Sequence, residues 1–64
     1  MLPQKTLPQR EQELQALLAT PAGREELHAL EARYQAASGR LRPGKTSIIT
    51  YILVHEREQG LLRS

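Results

Sequence analysis

The chain contains no cysteine, no tryptophan, no phenylalanine and no aspartate among its 64 residues. The absence of cysteine excludes disulfide bonds and any metal site built on thiolates. Because the only aromatic residues are two tyrosines, leucine and isoleucine have to build the apolar core. A chain this short buries only about 60% of the surface that its unfolded form exposes. Its core is therefore thin, and self-association is one common source of added stability.

A strong excess of one charge and a long apolar run are also missing. Nine Lys and Arg residues oppose seven Glu residues, a net charge of +2 that permits nucleic-acid binding without requiring it. The longest apolar run, residues 48–54, is interrupted by Thr50 and is far shorter than the roughly 20 residues that cross a bilayer. The segment MLPQKTLPQ lacks the apolar core of a secretory signal. We therefore expect a cytoplasmic protein without membrane contact.

A first helix is predicted over residues 7–19. Thr6 and Gln9 have the spacing of a capping box, and Pro8 falls in the first turn, where its missing N–H group is not needed. Leucines recur at helical spacing and predict one apolar face. Residues 1–6 are expected to form a short arm before this helix.

A second helix is predicted over residues 21–38. Thr20 is a good N-cap, Pro21 suits the first helical position, and Gly39 is a natural C-terminal cap. Gly23 in the first turn is expected to lower helical propensity by about 1 kcal/mol relative to Ala. The short break between the two helices predicts a helical hairpin.

The segment TSIITYILV, residues 46–54, admits two interpretations. Its β-branched residues favour a strand, which would need a partner strand from another subunit to satisfy its backbone. The other interpretation is a third helix over residues 47–59, capped by Thr46 or Ser47, with residues 61–64 as a frayed tail. We favour this helix, so the predicted fold is a single all-α domain over residues 1–64. The alternative is an α+β fold with an intermolecular strand. The predicted core consists of Leu14, Leu17, Leu18, Leu27, Leu30, Tyr34, Ile48, Ile49, Ile52 and Leu53.

The stretch GRLRPGKT has the spacing of a nucleotide-binding P-loop. Gly39, four residues, Gly44, Lys45 and Thr46 fit that pattern. A P-loop also requires a buried strand before the first glycine, whereas the preceding LEARYQAAS is a helical stretch. We therefore interpret the match as a helix cap, a Pro-Gly turn and a second helix cap, and we predict no nucleotide cofactor.

The ionisable residues form no recognisable catalytic or metal-binding pattern. His28 and His55 are far apart in the chain, and we expect both to be solvated. The glutamates are expected on exposed helix faces, and the sequence has no HExxH motif. We therefore predict no enzymatic activity, no metal and no cofactor. The glutamates are Glu11, Glu13, Glu25, Glu26, Glu31, Glu56 and Glu58.

A basic cluster lies immediately before the predicted third helix. Arg40, Arg42 and Lys45 fall within six residues, with no acidic residue nearby in the sequence. The N–H groups and dipole of a helix N-terminus favour anions such as phosphate. Arg40, Arg42, Lys45, Thr46 and Ser47 are therefore candidate contacts to an anion or to a nucleic-acid backbone, with a solvated loop as the alternative.

A β-branched helix that ends in EREQGLL resembles the recognition helix of winged-helix regulators. The resemblance covers about residues 46–62, and Glu56 departs from it because that position is usually apolar. It implies a DNA-binding helix whose polar side chains lie toward the major groove, namely Thr46, Ser47, Thr50 and Tyr51.

Two functions of different classes follow from these observations. The first is a non-catalytic protein-interaction module that associates with itself or with another protein, favoured by the thin core and the many apolar residues in 48–54. The second is a small helix-turn-helix-like protein that binds DNA or RNA through the basic loop, residues 40–45. The modest net charge ranks the first ahead.

Overall fold

The computed structural model describes residues 4–63 as three helices between two short strands. The three-helix prediction is confirmed, and residues 48–54 are helical, so the intermolecular-strand alternative is wrong. Residues 1–3 of the predicted arm and Ser64 of the predicted tail lie outside the described residues. The elements in chain order are β1 (Lys5–Thr6), α1 (Leu7–Leu18), α2 (Pro21–Ser38), α3 (Ile48–Glu58) and β2 (Leu62–Arg63).

The helix N-termini are capped by the residues that the sequence indicates. The Thr6 hydroxyl accepts a hydrogen bond from the Gln9 N–H at 3.3 Å, and the Gln9 side chain accepts one from the Thr6 N–H at 3.0 Å. This reciprocal pair is the predicted capping box. The Thr20 hydroxyl accepts from the Gly23 N–H at 2.9 Å, directly before Pro21. These bonds satisfy backbone donors that have no partner inside a helix.

Gly23 permits the close approach of α1 and α2. A Cβ atom at this position would lie 2.0 Å from the carbonyl oxygen of Leu17 and 2.6 Å from its Cα. Both of those atoms belong to the backbone, so no side-chain rotation would relieve the overlap. The predicted loss of helical propensity at Gly23 therefore accompanies a packing requirement that the sequence did not reveal.

The core lies where the three helices meet. Five of the ten predicted core residues are buried, and four more are partly buried against them. Leu18 is the exception, since it is 38% exposed at the end of α1, where the chain turns into α2. Its prediction as a core residue is wrong. The buried apolar residues are Leu14, Leu27, Ile49, Ile52, Leu53 and Leu62.

The end of the described chain is docked against the helices. Leu62 pairs with Lys5, and Arg63 with Thr6, in a two-stranded parallel ladder. Leu62 is only 8% exposed and belongs to the core. The prediction of a frayed tail is therefore wrong for Leu62 and Arg63, because a buried leucine and a paired backbone fix this segment.

Candidate interaction surface beside helix α3

The loop between α2 and α3, residues 39–47, is fixed by side-chain hydrogen bonds. The Arg42 guanidinium donates one bond to the Thr46 carbonyl oxygen at 2.8 Å and another to the Glu31 carboxylate on α2. The Tyr51 hydroxyl on α3 donates to the Arg40 carbonyl oxygen at 2.9 Å. Because these bonds tie the loop to both neighbouring helices, its backbone is held in a defined position.

The loop positions its three cations differently. Arg42 is half-buried and points back to Glu31, so it acts as a brace for the loop. Arg40 is well exposed, with its Nη2 atom 3.8 Å from the Glu58 carboxylate on α3. Lys45 is exposed and forms no ion pair with any residue in the described range 4–63. The three cations predicted as anion contacts therefore differ in exposure and in their partners.

The two hydroxyl residues at the end of the loop have local partners. Ser47 is the N-cap of α3, because its hydroxyl accepts a hydrogen bond from the Thr50 N–H at 3.1 Å and also donates to the Thr50 hydroxyl at 2.9 Å. The Thr46 N–H donates to the Pro43 carbonyl oxygen at 3.0 Å and closes the Pro-Gly turn. Of the two caps that the sequence permitted, Ser47 is the one used.

The P-loop pattern coincides with a helix end and a turn. Gly39 caps α2 in the left-handed conformation, with φ of 72°, and its N–H donates to the Gln35 carbonyl oxygen at 2.8 Å. Residues 21–38 before it are helical, where a P-loop requires a strand. The predicted local roles of Gly39 and of the turn at Pro43–Thr46 are confirmed.

A groove of about 310 Å³ runs between this loop and the outward face of α3. We call it the α3 groove. Leu41 and Val54 on its walls are 80% and 50% exposed, whereas Arg40 and Glu58 are charged. Its apolar part combines a leucine, a valine, a proline and a tyrosine ring. The lining residues are Ser38, Arg40, Leu41, Pro43, Thr46, Thr50, Tyr51, Val54, His55 and Glu58.

The opposite face of α3 carries a buried charged cluster that the sequence analysis missed. Glu56 is 3% exposed, so the prediction of an exposed glutamate is wrong at this position. Arg10 on α1 donates two hydrogen bonds to the Glu56 carboxylate, each of 2.8 Å, and the Tyr34 hydroxyl on α2 donates a third at 2.6 Å. The cluster therefore joins all three helices. The available signal was the register of Glu56, which follows Ile49, Ile52 and Leu53 on one helical face.

The cluster shifts the pKa values of its members. Burial raises the pKa of Tyr34 to about 12, and its hydrogen bond to Glu56 adds to that rise. The hydrogen bonds to Glu56 raise the pKa of Arg10 above its ordinary value, against the opposing effect of burial. The hydrogen bond from Lys5, followed by that from Arg10, lowers the pKa of Glu13 at the exposed edge of the cluster. The three hydrogen bonds that Glu56 accepts hold its carboxylate between the helices, so the cluster stabilises the fold.

The histidines lie in different environments. His28 is exposed, with its Nδ1 atom 3.8 Å from Glu31. His55 is half-buried and stacks on the Tyr34 ring, with the ring centroids 4.2 Å apart, so the prediction of a solvated side chain is wrong for His55. Within residues 4–63, no three His or Glu side chains are grouped so that they could hold a metal ion.

The residues of the winged-helix resemblance lie on and before α3. Thr50 is exposed, while the Tyr51 hydroxyl is engaged by the loop backbone. Glu56, the position that departs from that pattern, is buried in the charged cluster. No family model, curated protein or solved structure matches this chain. None of the helices in the described part of the chain is both long enough and apolar enough to cross a membrane.

Proposed function

We propose that this chain is a small non-catalytic protein-interaction module that associates with a second copy of itself through the α3 groove. The observation that carries the proposal is Leu41, which is 80% exposed although its loop is fixed to both neighbouring helices. A mobile loop could turn a leucine toward the protein. Because the loop is fixed, Leu41 stays exposed at the wall of the α3 groove, where a partner can contact it.

The neighbours of Leu41 support a contact surface. Single exposed leucines are ordinary on protein surfaces, but Leu41 shares one groove with Val54 and the Tyr51 ring. Covering a fully exposed leucine stabilises a complex by about 1.5–3 kcal/mol. A partner that fills the groove therefore gains apolar burial in addition to any polar contacts at its rim.

The balance of apolar residues supports a second copy as the partner. Over residues 4–63, six apolar residues are buried and five large ones are exposed. A small domain that leaves several large apolar residues exposed gains stability when oligomerisation covers them. We accordingly propose that an interface between two copies buries the exposed apolar side chains of the α3 groove.

Sedimentation equilibrium of the full chain tests this proposal. We expect reversible association at micromolar concentration, and we expect the double variant Leu41→Ser/Val54→Ser to be monomeric with unchanged helical circular dichroism. Leu61→Ser is the matched control, because Leu61 is 54% exposed and lies outside the groove. A wild-type chain that stays monomeric at every soluble concentration would contradict the proposal.

Nucleic-acid binding through the basic loop is the second candidate. It is supported by Arg40 and Lys45, which are both exposed on the segment that leads into α3. It ranks lower because Arg42 is engaged by Glu31 and Arg40 lies beside Glu58. Retention on duplex DNA or on RNA should then fall steeply with salt and should drop in Arg40→Ala/Lys45→Ala. Retention that is equal in this variant and in wild type removes the candidate.

A further inference from the structure

We propose that the association is a two-fold symmetric dimer whose axis passes beside Arg40 and Glu58, so that Arg40 of each copy meets Glu58 of the other. This inference rests on the proposed self-association. It adds the symmetry of the interface, its centre and the residues that set its register.

The Arg40–Glu58 pair leaves hydrogen-bonding capacity unused within one copy. Its closest nitrogen–oxygen distance is 3.8 Å, which is too long for a hydrogen bond. The two side chains are 75% and 53% exposed, so they remain largely hydrated. A guanidinium has five N–H donors, and a carboxylate can accept two of them in parallel. A second copy can therefore form hydrogen bonds with the Arg40 donors and Glu58 acceptors that this pair leaves unused.

The groove is complementary to itself. In a two-fold dimer one surface patch packs against the same patch of the other copy, so the patch has to match itself. A cation beside an anion meets that condition. Rotation about a nearby two-fold axis brings the cation of each copy next to the anion of the other, so the four charges alternate in sign. Leu41 and Val54, in the same groove, would pack at the sides of this charge cluster. A uniformly acidic or basic partner would instead meet one like charge.

Both charged residues start from fixed backbone positions. The Arg40 carbonyl oxygen accepts the Tyr51 hydroxyl at 2.9 Å, and Glu58 is the last residue of α3. Residues on a fixed backbone lose less conformational freedom on association than residues on a mobile loop do. The charges are thus suited to setting the register of the dimer, while the apolar side chains supply burial.

Charge reversal distinguishes this dimer from other modes of association. Arg40→Glu would gather four negative charges at the axis of its homodimer, and Glu58→Arg would gather four positive ones. We expect each single variant to associate at least about a hundredfold more weakly than wild type, because like charges across an interface are strongly unfavourable. The double variant Arg40→Glu/Glu58→Arg restores alternating charges and should regain association.

Mixing the two single variants is the decisive measurement. Each Arg40→Glu chain then faces a Glu58→Arg chain of opposite charge, so native mass spectrometry should show the mixed dimer in excess over both homodimers. Lys45→Glu is the matched control, since it reverses a charge on the same loop outside the groove and should leave the dimer unchanged. Circular dichroism checks the fold of each variant.

The outcomes separate this inference from the proposed function. A wild-type chain that dimerises, with both single variants dimerising as tightly as wild type, overturns the two-fold arrangement and leaves self-association standing. The same holds for an equimolar mixture that forms no excess of mixed dimer. A wild-type chain that remains monomeric overturns both proposals.

Discussion

The two sides of α3 each have one residue that departs from the usual separation of buried apolar and exposed polar side chains, one on the helix itself and one on the neighbouring loop. On the inward face, Glu56 is 3% exposed among buried isoleucines and a leucine. On the outward side, Leu41 of the loop is 80% exposed at the wall of the α3 groove. The buried charge is satisfied because α1 and α2 bring donors to it. The exposed leucine has no comparable cover within residues 4–63, which is why we propose the outward side as the interface with a second copy.

The largest expected effect comes from removing the buried carboxylate. Glu56→Ala removes the acceptor of the Tyr34 hydroxyl and of two Arg10 N–H groups, so Arg10 keeps only its bond to Glu13. Breaking a buried ion pair in this way costs about 3–5 kcal/mol of unfolding free energy. Glu58→Ala, two residues along on the outward face, should cost little. Urea denaturation at a dilution where the chain is monomeric measures both, because association would otherwise add stability. Equal losses from the two variants would contradict the contrast between the faces.

The next effect tests the close packing of α1 against α2. Gly23→Ala should lower the free energy of unfolding by about 3 kcal/mol, the upper end of the overpacking range, because the new methyl group meets the Leu17 backbone. Gly44→Ala in the groove loop is its counterpart, with no atom within 4 Å of the added carbon and no positive φ. It should be neutral or slightly stabilising. Similar melting temperatures for the two variants would contradict the predicted overlap.

A smaller effect tests the docked end of the chain. Leu62→Ala should cost about 2 kcal/mol, the lower end of the range for a buried leucine, because this residue lies at the edge of the core. Leu61→Ala changes an exposed neighbour and should shift stability by less than about 0.5 kcal/mol. Thermal denaturation followed by circular dichroism separates them. If both leucines prove equally dispensable, the tail is not part of the core.

The smallest effect is a dependence of stability on alkaline pH. The pKa of Tyr34 rises from 10.0 to about 12 on folding, so the folded state favours the neutral phenol. This contribution is complete below pH 10 and is lost as the pH rises from 10 to about 12, because the unfolded chain releases its proton first.

Tyr34→Phe should remove that part of the decline, whereas Tyr51→Phe on the groove side should retain it because Tyr34 is still present. Unfolding free energies measured across this pH interval decide the point. An identical decline in wild type and Tyr34→Phe would show that Tyr34 does not contribute.

The helices were predictable because their ends depend on neighbouring residues. Thr6 with Gln9, Thr20 with Pro21, and Gly39 each act within one helical turn, so the sequence contains the whole signal. The site was predictable only in part. The cations of the basic loop were identified, but their partners Glu31 and Glu58 lie on the flanking helices and depend on how the loop folds back.

The sequence by itself determined the first two helices, their caps and the turn that mimics a P-loop, since short-range hydrogen bonds and side-chain periodicity set these features. It favoured a third helix over residues 47–59 but left a strand open for residues 46–54 and left its cap open between Thr46 and Ser47. Only the tertiary structure decided the roles of Glu56, Leu62 and Gly23. Each depends on an atom from a distant or crossing segment: Arg10 for the carboxylate, β1 for the leucine and the Leu17 carbonyl group for the glycine. Helix packing likewise left Leu41 exposed, because the bonds that brace its loop come from two different helices.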